Sequence, residues 1–326
     1  MSALPDFQLL RPTTAADAVA MRAANAASRY IAGGTDLLPN IRRGLAEPGV
    51  VIDLGGIAEL AHIDFGTDAL RIGAGTSLAA IAGDATIRTH YTALAEAAAA
   101  VAGPTHRAAA TLGGNLCLDT RCVYYNQSEF WRESNDYCMK LKGEGCRVAK
   151  KSKRCYAAFS GDVAPALIAL AAEIEILGPK GSRRVASADF YRDDGMAWLT
   201  LAPDELLVGV HVPLHEGWTS AYEKVRVRGA IDFPLAGVAV ALKRKGNAID
   251  DLRIACTGVA SRPLAVDGLA ELKGKPLDAA ALAVITAQTE IAAGAMRTTV
   301  VDMLYRRGVA PVLARRITER LWNAAA

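Results

Sequence analysis

Apolar residues change their spacing several times along the chain, and each change marks an element. "TTAADAVAMRAAN" sets Ala, Val and Met on one face of a helical period behind a threonine suited to cap it, which predicts a first helix. "RYIAGGTDLLPNIRRG" predicts a short strand, a Gly-Gly turn and a helical turn stopped near Gly44. "GVVIDLGGI", "LAHIDF" and "ALRIGAGT" read as strands, the last two joined by the turn "GTD". "SLAAIAGD" and "YTALAEAAAAVAG" predict helices, and "GDVAPALIALAAEIEILG" predicts a helix feeding a strand. Strands and helices therefore alternate up to about residue 215.

After "DELLVGVHVPL" the pattern changes. "TSAYEKVRVR" and "PLAGVAVALKRKGNAIDDLRIACTGVA" predict an antiparallel sheet, and "DAAALAVITAQTEIAAGA" and "RTTVVDMLYRRGVAPVLARRITERLWNAA" predict helices backing it. A boundary near His215 divides the chain into residues 1–215, with a subdivision near residue 55, and residues 216–326. The segment 117–160 fits neither half: it has no sustained periodicity and is dense in Cys, Lys, Arg, Asn and Tyr, so it reads as an insertion. A loop of that length needs something to order it.

The length of 326 residues exceeds what one compact core usually supports, which agrees with two domains. Hydrophobic residues at 52% and charged residues at 22% describe an ordered globular chain rather than a disordered or disulfide-framework one. The longest apolar runs, "ALAEAAAAVAG" and "APALIALAAEIEIL", are broken before the ~20 residues a membrane span needs. The N-terminus lacks the basic and apolar regions of a secretory signal, so a cytoplasmic location is expected. In a reducing compartment clustered cysteines are more often metal ligands or redox groups than disulfides. A net charge of +3 gives no argument for nucleic acid.

Three small-residue turns fall in the first 115 residues: "AGGTD" at 32–36, "GAGT" at 73–76 and "TLGGN" at 111–115. Each could let backbone N–H groups approach an anion, or could be only a strand-to-helix turn. None is a dinucleotide or P-loop fingerprint. Taken in order, "AGGTDLL", "IGAGTS" and "TLGGN", followed by "SGD", "LAPDELLVGVHVP" and "AYEKVRVR", resemble the flavin-binding medium subunits of the xanthine dehydrogenase and carbon monoxide dehydrogenase family.

The resemblance implies an α+β chain. It has a two-subdomain FAD-binding fold of the vanillyl-alcohol-oxidase/PCMH type and a C-terminal α+β domain of the CO dehydrogenase flavoprotein type. It implies that Ala32, Gly33, Gly34, Thr35, Asp36 and Leu37 hold the FAD pyrophosphate, and that Thr111, Gly113, Gly114 and Asn115 form the second half of the clamp. The same resemblance implies that Val101, Asp162, Leu206 and Lys224 also meet the cofactor. Backbone donors suit a diphosphate, a carboxylate can accept from ribityl or ribose hydroxyls, and a nearby cation stabilises reduced flavin. Read alone, Asp162 is a helix cap for "VAPALIALAA" and Lys224 a solvated strand residue.

The family's usual connection from "GGN" to the "SD" turn is short, and this chain departs from it by several tens of residues. Cys122, Cys138, Cys146 and Cys155 give C-x15-C-x7-C-x8-C, with Gly143 and Gly145 beside the third. Four thiolates suit a [4Fe–4S] cluster or a structural Zn²⁺; two disulfides or free thiols are the other readings. The short C-x2–4-C pairs of zinc sites are missing, and a neighbouring flavin gives iron a use that zinc lacks. Metal binding would also order a loop that has no core of its own. Cys117 follows the clamp directly and belongs with the scaffold, while Cys256 in "LRIACTGV" reads as a small buried hydrophobe.

A flavin subunit with an extra four-cysteine loop resembles the beta subunits of the 4-hydroxybenzoyl-CoA reductase branch of the family. That resemblance implies anaerobic aromatic degradation by an αβγ unit paired into a dimer, with a molybdopterin-containing large subunit and a small subunit carrying two [2Fe–2S] clusters. It also implies ferredoxin as donor, with electrons entering at the [4Fe–4S] cluster and passing through FAD towards molybdenum. The alternatives are a related molybdenum hydroxylase subunit delivering electrons outward, or a zinc-stapled interaction module.

Between Lys140 and Arg154 stand seven basic residues, Lys140, Lys142, Arg147, Lys150, Lys151, Lys153 and Arg154, against Glu144 alone. They read as a solvated loop offsetting cluster charge, or as a ferredoxin dock; a nucleic-acid reading lacks a helical reading head. The five histidines, His62, His90, His106, His211 and His215, are scattered, and no acid–base or nucleophile grouping stands out.

Overall fold

The computed structural model describes residues 4–324 and contains three sheets. The first is parallel, in the order β1 (Gln8–Leu10), β3 (Val50–Asp53), β2 (Arg29–Ile31). Helix α1 (Ala15–Ala24) makes the crossover from β1 to β2. Its Thr14 side chain accepts from the Asp17 N–H, a cap worth about 1 kcal/mol. The buried face of α1, Ala15, Ala18 and Val19, packs with Ile52, Ile57, Leu60 and Leu206, which joins the first sheet to the second. A short helix α2 (Leu37–Arg42) leads from the Gly-Gly turn.

The second sheet is antiparallel, in the order β4 (Ile63–Phe65), β5 (Ala69–Gly73), β8 (Leu206–Pro213), β6 (Glu173–Gly178), β7 (Gly181–Ala186). Its apolar side chains, Leu70, Ile72, Ile174, Ile176, Val210 and Val212, form one core with residues from α3 (Leu78–Gly83), α4 (Ala85–His90), α5 (Thr92–Ala100), α7 (Leu112–Leu116) and α9 (Val163–Ala169). Helix α6 (Pro104–Ala109), between α5 and α7, buries none of its own residues.

The third sheet runs β12 (Leu264–Ala265), β11 (Ala248–Thr257), β10 (Ala236–Lys245), β9 (Trp218–Val225), all antiparallel. Alternation along β10 divides it by size. Val238, Val240 and Leu242 join the core shared with α10 (Ala279–Ala292) and α11 (Met303–Ala324), whereas Ala239 and Ala241 pack with Ala93 and Ala97 of α5 and Ala166 and Ala169 of α9. The sheet is thus covered on both faces, and alanines on its inner face let helices of the first domain approach closely. This two-sided contact brings the C-terminal domain against the N-terminal turns.

The insertion carries one helix, α8 (Glu129–Glu133), and is closed at its base by a bridge between Arg121 and Ala158, with N–H···O distances of 2.8 and 2.7 Å. Among the described residues no helix is long and apolar enough to cross a membrane.

Candidate functional site

The turn after β2 has backbone donors to spare. Among the described residues, the N–H groups of Gly33, Gly34 and Thr35 make no backbone hydrogen bond, and Thr35 is exposed. A Cβ on Gly33 would lie 1.9 Å from the Ala109 carbonyl oxygen, so this glycine is required for the turn to rest against the end of α6. Leu37 begins α2 and is half-buried. Gly33→Ala is therefore expected to push residues 109–110 away and to lower the flavin-to-protein ratio of purified protein; a wild-type ratio would remove Gly33 from the site.

The second turn spends its donors inside the protein. Gly113 N–H donates to the Ala74 carbonyl at 2.8 Å, Gly114 N–H to Thr111 Oγ1 at 3.1 Å, and Asn115 N–H to the Thr111 carbonyl at 3.0 Å. Asn115 Oδ1 accepts from the Val163 N–H at 3.1 Å, which ties this turn to the start of α9. A ligand here meets an ordered wall, while spare N–H groups come from residues 33–35. Ala32 continues from β2, and Val101 ends α5, its carbonyl accepting from Arg107 Nη1 at 2.8 Å. Leu206 is buried in the cluster beneath the first sheet.

Asp162 stands at the N-cap position of α9 but makes no cap bond. Its carboxylate accepts from Tyr222 Oη at 2.6 Å and from Lys224 Nζ at 2.9 Å, and Lys224 also donates to the Asp232 carbonyl at 3.2 Å. The side chains of Lys224 and Asp162 are 3% and 5% exposed, which corrects the readings of Lys224 as a solvated residue and Asp162 as a simple cap. Burial pushes the Asp162 carboxyl up and the Lys224 ammonium down from their usual ranges, and each opposes the other's shift. Arg226, whose guanidinium donates to the Ala100 carbonyl at 3.3 Å, adds positive charge beside the pair.

Residues without any local sequence signal complete the crevice. Arg121 is paired with the Asp36 carboxylate, donates to Asn40 Oδ1 at 2.8 Å and lies 5.7 Å from the centroid of the Phe233 ring. Asp36 is raised by burial and lowered by Arg121, so it holds the start of α2 in place. The segment around Phe233 crosses from the C-terminal domain, with Ile231 N–H donating to the Ala102 carbonyl at 3.1 Å.

The cysteine loop surrounds a small core of Leu45, Cys122, Tyr125, Cys155 and Ala157, with Met139, Leu141 and Val148 against it. All six cysteines are free thiols; Cys122, Cys146 and Cys155 are buried and Cys138 half-buried. Burial raises the Cys122 thiol, and the neighbouring Cys138 and Cys146 add to the shift. Burial pushes Cys155 up to about 12, with Cys146 and Cys122 adding to it. Cys122 and Cys146 are therefore within electrostatic reach of each other and of a third cysteine, Cys155, and Cys138 lies within reach of Cys122. The Ala157 N–H points at Cys155 Sγ at 3.4 Å, and the N–H groups of Tyr124 and Tyr125 serve Cys122.

No group of three or more His, Cys, Asp or Glu side chains among the described residues is arranged to hold a metal ion. A Cβ on Gly143 would lie 2.5 Å from the Asp136 carbonyl oxygen, so glycine is needed to close the turn between Cys138 and Cys146. Left-handed backbone at Asp136 and Tyr137, with φ of 52° and 54°, costs roughly 1–2 kcal/mol at each residue and sets the approach to Cys138. Cys117 packs on the main core, where burial lifts its thiol to about 12, and Cys256 is fully buried in β11.

The basic run divides in the structure. Lys140 is interior: its side chain is 5% exposed, and Nζ donates to Asp119 Oδ1 and the Gly195 carbonyl, both at 2.7 Å, between the rings of Tyr125 and Trp198. Arg147 donates to the Tyr137 carbonyl at 2.7 Å and Arg154 pairs with Asp193, which leaves Lys150, Lys151 and Lys153 with Lys142 as the exposed charges. Lys140→Met would remove the cation from Asp119, leaving it Tyr125 Oη at 3.1 Å, and take one donor from the Gly195 carbonyl. It is expected to open the loop to trypsin at Lys142–Lys153, and a wild-type digestion pattern would show that Lys140 does not hold it.

Residues 5–215 match the family model described as the FAD binding domain in molybdopterin dehydrogenase, and residues 220–321 match the CO dehydrogenase flavoprotein C-terminal domain. The aldehyde oxidoreductase FAD-binding subunit PaoB of Escherichia coli is 33% identical over 278 residues, covering 80% of this chain and 84% of that one. The carbon monoxide dehydrogenase medium chain of Afipia carboxidovorans is 30% identical over 319 residues, 96% of each chain. A solved chain of reconstituted CO dehydrogenase from Oligotropha carboxidovorans superposes with a TM-score of 0.82 at 28% identity over the whole of both chains. The fold expected from the sequence is thereby met, an FAD-binding region followed by a flavoprotein C-terminal domain. With both domain models matched and these likenesses spanning most of its length, the chain belongs to the FAD-binding subunits of the xanthine dehydrogenase and CO dehydrogenase family of molybdenum hydroxylases.

Proposed function

We propose that this chain is an electron-relay subunit that holds FAD in the crevice between residues 32–37, 101, 111–115, 162 and 224, and one [4Fe–4S] cluster on Cys122, Cys138, Cys146 and Cys155. Bound FAD supplies one- and two-electron exchange and an iron–sulfur cluster supplies one-electron exchange. The spare N–H groups of residues 33–35 receive the anionic diphosphate. The neutralised Asp162–Lys224 pair and Arg226 keep the neighbouring wall polar and slightly positive.

The observation that carries the cluster is the arrangement of the cysteines. All four are free thiols, Cys122, Cys146 and Cys155 of them buried; Cys122 feels Cys138 and Cys146, Cys155 feels Cys146 and Cys122, and backbone N–H groups serve two of the sulfurs. Four cysteines beside a flavin site favour a cluster over zinc, because an iron–sulfur cluster exchanges electrons and zinc does not. Four cysteine thiols are the donor set that such a cluster takes. The partners on this reading are a molybdopterin-bearing large subunit and a small subunit with two [2Fe–2S] clusters.

The named relatives oxidise aldehydes or carbon monoxide, and they favour outward flow, in which electrons from a substrate oxidised on the large subunit leave through this chain to an acceptor. The four-cysteine insertion favours a second reading. On it the chain serves a 4-hydroxybenzoyl-CoA reductase, taking electrons from ferredoxin for reductive removal of the phenolic hydroxyl. Stopped-flow reduction of the assembled enzyme separates the two. Flavin bleaching by an aldehyde, xanthine or carbon monoxide supports outward flow. Bleaching by reduced ferredoxin, followed by reoxidation with 4-hydroxybenzoyl-CoA, supports the second reading.

A further inference from the structure

Arg306, in the first turn of α11, is 1% exposed. Its Nε donates to the Leu235 carbonyl at 3.1 Å, Nη1 to the Met296 carbonyl at 2.9 Å and to Thr298 Oγ1 at 2.8 Å, and Nη2 to the Gly258 carbonyl. Every partner is neutral, and no carboxylate among the described residues pairs with it. A buried cation without a counter-anion is expensive, and proteins normally pair one. Buried Lys140 has Asp119; Arg306 has no equivalent among the described residues.

Its surroundings point to the cysteine loop. Thr298, which receives Nη1, also accepts the Val123 N–H on its carbonyl at 2.7 Å, one residue from Cys122. Gly258, which receives Nη2, donates its N–H to the Phe159 carbonyl at 2.9 Å, and Ser261 Oγ donates to the Cys155 carbonyl at 3.1 Å. The C-terminal domain therefore grips both cysteine-bearing ends of the insertion, and Arg306 ties the two grips together. Burial lowers the guanidinium to about 10, and the nearby Cys122 thiol acts against that shift.

We infer that the counter-anion of Arg306 is the thiolate-bound cluster, and that Arg306 is a positioning residue that favours the cluster's reduced state. This rests on the cluster reading above. Reduction adds one electron to an already anionic group and breaks no bond, so a fixed cation held nearby raises the midpoint potential.

The test uses the full chain, purified anaerobically with the subunits it assembles with, as wild type, Arg306→Met and Arg306→Lys. Iron is assayed, and the cluster is titrated with dithionite under EPR. The expected result is a more negative midpoint in Arg306→Met, with Arg306→Lys close to wild type. Wild-type iron with an unchanged midpoint in Arg306→Met overturns the inference. If Arg306→Met loses its iron, Arg306→Lys decides. Retained iron and midpoint in the lysine variant support the role of charge, and loss in both variants overturns it in favour of hydrogen-bond geometry. A wild-type chain without iron would instead sink the cluster reading itself.

Discussion

Cys146→Ser is expected to abolish iron binding while leaving the flavin in place. Cys146 is buried at the end of the tight turn that Gly143 closes, within electrostatic reach of both Cys122 and Cys155. A serine hydroxyl fills nearly the same volume but is a poor ligand for iron, so the scaffold survives and the ligand set does not. Iron should fall from about four per chain to a small fraction of that. Flavin should remain, because Gly33 rests on Ala109 and Gly113 on Ala74, and Arg121, which holds Asp36 from the base of the loop, is fixed by its backbone bridge to Ala158 rather than by the cysteines. Cys117→Ser serves as the control, since Cys117 packs on the main core, and it should keep its iron. Full iron in Cys146→Ser would remove this cysteine from the ligand set.

Lys224→Met is expected to be the most destabilising single change at the flavin crevice. It leaves the Asp162 carboxylate, whose side chain is 5% exposed, with Tyr222 as its one remaining side-chain partner. Breaking a buried pair from one side costs about 3–5 kcal/mol. Chemical unfolding should show a loss of that size, together with loss of bound flavin. The double change Asp162→Asn with Lys224→Met removes both charges and should recover much of the stability. A double variant no more stable than Lys224→Met would mean that the ion pair is not the source of the loss.

Helix α1 and strands β2 to β5 were legible because each announces itself locally, by a capping threonine, a Gly-Gly turn or a period-two run. Strand β7 was not, because "GSRRVA" is exposed along nearly its whole length, and the hairpin turn after Gly178 sets its pairing rather than any apolar face. Helix α6 has proline at its first turn but buries none of its residues, so no periodicity marks it. The sheet β9–β12 reads as backed by helices on one face; the alanines of its other face turn out to be a second packing surface, and alanine alone does not signal which side is buried.

At the site, the glycines were visible, but part of their reason was not. Gly33 is needed for contact with Ala109, and the free donors follow from that packing. Arg121, Tyr222 and Arg306 escaped notice because their partners lie far along the chain: 85 residues from Arg121 to Asp36, 60 from Tyr222 to Asp162 and 71 from Arg306 to Leu235. Single charged or aromatic residues carry no pattern that points over such distances. The basic run around the cysteines reads as one surface, yet Lys140 is buried, and Arg147 and Arg154 are bonded to neighbouring segments.

The account's central claim is that one chain carries both a flavin and an iron–sulfur cluster. Metal and flavin analysis of the anaerobically purified protein, with its absorption and EPR spectra, tests this most directly. The account predicts one FAD and about four irons per chain, a broad iron–sulfur shoulder under the flavin bands, and an EPR signal that appears on reduction and is lost in Cys146→Ser. Zinc in place of iron, or a metal-free loop beside a fully occupied flavin site, would contradict it.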